Sequence, residues 1–247
     1  MRHKIFSIGI PVAAVLLLFS FHFNAGAQFI QRDDGSARIH RLHVLMNHGL
    51  IMFLDGVNLK MIFDMKMSTS FEAKSEEYAS HGMEKGRNAI ELALRGEQNE
   101  ILVEQGFGDH PLMKTARELG DTMLDLLLVL EKMELGRATS ETMEIHHMHL
   151  LLNKGLESVA QGSNMIMASL LASIPQIDQY LENQGWIMMK EGKTLIADVA
   201  QSEPYKRIQQ TESSRDEALF AQTRQCADLS LKIADILSRM NIRGSSQ

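Results

Sequence analysis

From His40 to Met61 the chain reads HRLHVLMNHGLIMFLDGVNLKM, with apolar residues recurring at intervals of three and four. That spacing predicts a helix, because side chains advance about 100° per residue. The apolar character spreads too far round the circumference for a helix with one wet side, which points to a central place in a bundle. The first helix is expected from about Ala37 to Met67, capped by Ser36. A second is expected from about Phe71 to Arg95, where Thr69 and Glu72 have capping-box spacing and Gly96 can end the run. The polar stretch GEQNEILVEQGFGD reads as the connection to a third helix, opened by Pro111 and stopped by Gly136. No segment alternates strictly with β-branched or aromatic enrichment, so no strand is expected and the fold class is all-α.

The pattern then recurs. At a constant offset of 106 residues, His40, His43, Leu45, Asn47, Gly49, Leu50, Gly56, Asn58 and Met61 fall on His146, His149, Leu151, Asn153, Gly155, Leu156, Gly162, Asn164 and Met167. The same offset carries Met83, Gly86 and Ile90 onto Met189, Gly192 and Ile196; further on it drifts, aligning Thr115–Met133 with Thr223–Met240. Counterpart helices are expected at about Glu141 to Leu171, Pro175 to Gln201 and Arg215 to Ile242, with Pro204 and TESS punctuating the last connection. Two copies are too few for a solenoid. The expected architecture is a duplicated three-helix unit, residues 28–137 and 138–247, forming one merged helical bundle with pseudo-twofold symmetry.

Composition changes the picture at the N-terminus. Arg2 and Lys4, an apolar run from Ile5 to Phe23, and the small residues Ala25, Gly26 and Ala27 have the layout of a signal peptide over residues 1–27, cleaved before Gln28. Export through it leads to the periplasm. If the segment stays uncleaved, its apolar run is long enough to anchor the chain, the one membrane association expected. Without Arg2 and Lys4 the chain keeps 23 basic residues against 31 acidic ones, a formal charge of −8. That balance excludes nucleic acid as the expected partner, since affinity there comes from neutralising phosphates; a protein partner or a homo-oligomer remains. Cys226 is the single cysteine, so neither an internal disulfide nor a thiolate cluster is available and packing must supply the stability. Sixteen methionines follow Met1, a residue type that fills helical cores and also binds soft copper.

Candidate chemistry lies on the repeated helix. Taking His40 as zero, Asn47, Ile51, Leu54, Asn58 and Met61 lie within about 60° of it, and His43 sits at about −60°. Nitrogen side chains therefore share the apolar stripe, and His146, His149, Asn153 and Asn164 repeat the arrangement. Buried amides need partners, because an unpaired one costs about 1–3 kcal/mol. Asn47, Asn58, Asn153 and Asn164 are expected to bond across the helix pair and fix its register, leaving the histidines at a partly solvated end. The sharper alternative is metal. His40 and His43 are i, i+3 neighbours, His146 and His149 repeat them, and together they offer up to four nitrogens for copper or zinc, with Met46, Met143 and Met148 nearby.

The copies differ at His48, replaced by Lys154, and at Arg41, replaced by His147, so neither position belongs to a symmetric ligand set. His81 and His110 read as surface or capping residues. Glu144 stands three before His147, but Arg38 and Arg41 occupy the matching positions, so a duplicated di-iron pattern fails on half its ligands. No CxxCH occurs, excluding covalent haem, although a noncovalent haem or a small ligand between histidines is a further alternative. No phosphate loop, HExxH or nucleophile elbow is present, and catalysis is not expected. Gly49 and Gly56 fall on the back of the helix, opposite the polar stripe, where they predict close approach of another helix. The reading is an exported helical bundle of structural, interaction or stress-related role, with metal binding as the alternative.

Overall fold

A computed structural model describes residues 35–64, 72–133, 142–171, 175–210 and 217–240. The expected signal segment, the Thr69 side of the capping box, the Gly136 stop and TESS lie outside the described residues. Within them the regular elements are all helical: α1 (Ser36–Asp64), α2 (Glu72–Arg95), α3 (Glu97–Glu104), a 3-10 turn (Phe107–Asp109), α4 (Pro111–Lys132), α5 (Met143–Leu171), α6 (Pro175–Gln201), α7 (Glu203–Gln210) and α8 (Glu217–Met240). Among the described residues no helix is long and apolar enough to cross a membrane.

Two connections differ from the expectation. The polar stretch after Gly96 forms α3 and the 3-10 turn, because Leu102 is buried and the Asn99 amide donates to the Ala93 carbonyl at 3.2 Å, tying the new helix to the end of α2. The Pro204 segment forms α7 rather than a break. Its Ser202 hydroxyl accepts the Tyr205 N–H at 3.3 Å, and Tyr205 and Ile208 enter the core. Proline is tolerated there because the first helical turn needs no intrahelical N–H donor.

α1, α4, α5 and α8 pack around a shared interior, α1 against α5 and α4 against α8, while α2 lies along α1 and α6 along α5. Leu50, Phe53, Leu54, Leu119 and Leu126 are fully buried there, and Met46, Met61, Met113, Met123, Met167 and Met189 fill the space between them. Most of the sulfur is therefore core filler, the ordinary use of a flexible thioether.

The glycines on the back face do bring a helix close. A methyl group at Gly49 would lie 2.6 Å from the Gly86 carbonyl oxygen, and one at Gly56 would lie 2.5 Å from that of Ala79. On α5, a methyl at Gly155 would lie 2.9 Å from the Gly192 carbonyl oxygen and one at Gly162 would lie 2.5 Å from that of Gly185. Backbone thus meets backbone along α1–α2 and along α5–α6. Glycine disfavours a helix by about 1 kcal/mol relative to alanine, and here the close contact offsets that loss.

Candidate functional site

With its back face closed on α2, α1 turns its polar stripe toward α5. The Asn47 amide donates to Asn164 Oδ1 at 2.8 Å and reaches Ser163 Oγ at 3.4 Å. Eleven residues along α1, Asn58 Oδ1 accepts from the Asn153 amide at 2.7 Å, and the Asn58 amide donates to Glu157 Oε1 at 2.8 Å. Rising numbers in α1 meet falling numbers in α5, so the two helices run antiparallel. The four asparagines that the periodicity placed on one stripe are brought together in pairs.

Glu157 completes the seam and was missed at the sequence level, although it lies on the same stripe at the position that Ile51 holds in α1. Its second oxygen faces Lys154 Nζ at 3.4 Å. Burial pushes its carboxyl up to about 7, the Asp55 carboxylate adds to the shift, and Lys154 and the Asn58 amide oppose it. Burial also raises Asp55, against the pull of Lys154. One half of the seam is therefore ionisable, whereas the Asn47–Asn164 half is neutral.

The histidines flank the seam. His40 and His43 stand in the first two turns of α1 with ring centroids 5.6 Å apart and ring planes at 69°. His43 is wholly buried, and burial, aided by its neighbour His40, lowers its imidazole to about 3 despite an opposing pull from the Leu112 backbone. His146 and His149 stand at the start of α5, both wholly buried. Burial and then the neighbouring His146 lower His149 to about 4. The expectation of a partly solvated end is corrected: the first turn of α4 comes against His43, and Thr223 of α8 contacts His149 at 3.1 Å.

The two histidine pairs are not brought together. The antiparallel pairing of Asn47 with Asn164 and Asn58 with Asn153 sets His146 opposite the far end of α1. At 1.5 Å per residue the pairs are separated by roughly 30 Å along the bundle. One ion or one haem cannot span them.

The remaining candidates have local roles. His110 caps α4, its Nδ1 accepting the Leu112 N–H at 3.2 Å, and His81 is exposed. Glu144 pairs with Arg207 at 2.7 Å, and His147 is exposed. Burial raises the Cys226 thiol to about 12, far from nucleophilic at neutral pH. Among the described residues, no three or more His, Cys, Asp or Glu side chains converge as a metal-holding group. Comparison with protein families, curated proteins and solved structures finds no match to this chain.

Proposed function

We propose that this is an exported, non-catalytic helical-bundle protein of the periplasm, with a structural, interaction or stress-related role. Its body is then a duplicated three-helix unit, residues 28–137 and 138–247, closed by pseudo-twofold association of α1 with α5. The observation that carries the reading is the reciprocal pairing of asparagines. Asn47 bonds to Asn164, the counterpart of Asn58, while Asn58 bonds to Asn153, the counterpart of Asn47. Exchange of i with j and j with i is the signature of an isologous contact. The backbone contacts of Gly49 with Gly86 and Gly155 with Gly192 recur at the same offset, which supports a shared origin of the halves. The four asparagine side chains bond to one another across the seam, which leaves the Asn47 Oδ1 as its one buried unpaired atom among the described residues, and such cross-helix amide pairs are expected of groups that set helix register.

Two measurements test this proposal. Mass spectrometry of the periplasmic fraction is expected to find a chain beginning at Gln28; an intact N-terminus recovered with the membrane would overturn cleavage, and an intact chain recovered from the cytoplasm would overturn export. Replacing Asn47→Leu leaves Asn164 Oδ1 without its amide donor and removes one of the bonds proposed to hold α1 in a single register against α5. The expected result is a second species in native mass spectrometry or a broadened unfolding transition, with a stability loss of about 1–3 kcal/mol. A single sharp transition of unchanged mass would count against register setting.

A further inference from the structure

The histidines of α5 have fixed tautomers, and the fixing groups leave two lone pairs inside the protein. His146 Nδ1 lies 2.8 Å from the Thr142 carbonyl oxygen. A carbonyl can only accept, so that nitrogen carries the proton and Nε2 carries the lone pair. His149 Nε2 lies 3.1 Å from Thr223 Oγ1, and the Thr223 hydroxyl donates its hydrogen to the Leu219 carbonyl at 2.8 Å. With its hydrogen committed, the hydroxyl must accept from His149, so Nε2 of His149 carries the proton and Nδ1 the lone pair. His146 Nε2 and His149 Nδ1 are both buried and have no hydrogen-bond donor. The two residues are i, i+3 on one helix and both wholly buried.

We propose that His146 Nε2 and His149 Nδ1 form a two-nitrogen site for a monovalent soft cation, copper(I), with Thr142 and Thr223 as positioning residues. This does not rest on the structural role proposed above, and it involves α5 alone rather than both histidine pairs. Buried orphan acceptors are uncommon because each loses the hydrogen bond it would make in water. A cation that accepts both lone pairs removes that loss. An imidazole N–H held by a carbonyl or a hydroxyl-to-carbonyl relay is the outer arrangement that aims a metal-binding histidine and raises its basicity. Charge selects the ion. Among the described residues no carboxylate or thiolate joins the pair to make a group of three. A dication held by two neutral ligands would keep its full charge in the interior, where the cost of burial grows with the square of the charge. Copper(I) brings a quarter of that penalty and is satisfied by few ligands, imidazole among them.

The test is an anaerobic titration of copper(I) into the purified, metal-free protein in competition with bicinchoninate. One copper(I) per chain is expected to be withheld from the chelator, and His146→Gln and His149→Gln are each expected to lose it while His43→Gln keeps it. Thr223→Val retains both imidazoles and removes only the acceptor, so affinity is expected to fall about 10- to 100-fold with circular dichroism unchanged. Long-range proton–nitrogen spectra of ¹⁵N-histidine protein add a readout independent of folding. Silver(I) or copper(I) should shift His146 Nε2 and His149 Nδ1, while the protons on His146 Nδ1 and His149 Nε2 persist. No uptake, undiminished uptake by either glutamine variant, shifts at other nitrogens, or a preference for zinc(II) would overturn the proposal.

Discussion

Metal-free protein is expected to lose about 3 kcal/mol of stability between pH 7 and pH 4, and the Glu157→Gln variant about 6 kcal/mol. The loss comes from His43 and His149, whose imidazoles fall from 6.5 in the unfolded chain to about 3 and about 4 in the folded one. In the window below 6.5 the unfolded chain takes up protons that the folded chain refuses, so stability falls as pH falls. Each unit of difference is worth about 1.4 kcal/mol, and by pH 4 the two histidines have together contributed roughly four and a half units, His149 the less because its folded imidazole is by then half protonated. Glu157 acts in the opposite sense. Its carboxyl rises from 4.5 to about 7, so between those values the folded chain holds a proton that the unfolded chain releases. Acidification through that window therefore restores about 3 kcal/mol, which is the difference between the two proteins. It follows that Glu157→Gln should be the more stable protein at pH 8 and should match the native chain below pH 4.5. Urea midpoints measured from pH 4 to pH 8 check both curves. Parallel profiles for the two proteins would show that Glu157 does not titrate where its burial puts it.

Alanine at Gly86 or Gly192 is expected to destabilise the protein by about 3 kcal/mol or more each. The sign is informative, since helix propensity alone predicts a gain of about 1 kcal/mol for glycine to alanine. At Gly86 the added methyl would collide with the Gly49 carbonyl oxygen and lie 2.6 Å from the Phe53 backbone nitrogen. At Gly192 it would collide with the Gly155 carbonyl oxygen and lie 2.9 Å from the Val159 nitrogen. Backbone cannot rotate out of the way as a side chain does, so the helix pair itself must part. Thermal midpoints should fall by about 6–12 °C for a chain of this size. Gly108→Ala is the control: its methyl would meet Val103 Cγ1 at 3.6 Å, an ordinary contact, and should change stability by no more than about 0.5 kcal/mol. A gain in stability at Gly86 or Gly192 would mean that the helices are not in backbone contact.

Helix existence and type were legible in the sequence because the 3.6-residue period is local, and α2 and α6 end at the residues that the pattern gave, Arg95 and Gln201. Short helices were not. α3 and α7 are eight residues each, too short to display a period, and they form because Leu102, Tyr205 and Ile208 find places in the core. The asparagine stripe was readable for the same reason as the helices, and Glu157 could have been added to it from its angular position alone. The threonines that hold the histidines could not. Thr142 acts through its carbonyl, which any residue possesses, and Thr223 lies 74 residues from His149 in the chain.

By itself the sequence determined the helical class, the close backbone contact behind Gly49 and Gly56, and the face of α1 and α5 on which nitrogen side chains lie. These follow from spacing along the chain, and spacing is retained in any fold. The tertiary structure alone decided that α1 meets α5 antiparallel, so that the amides pair while the two histidine pairs stand at opposite ends. It also decided which ring nitrogens keep protons, because protonation inside a protein depends on what surrounds each atom, and those surroundings are assembled from segments far apart in sequence.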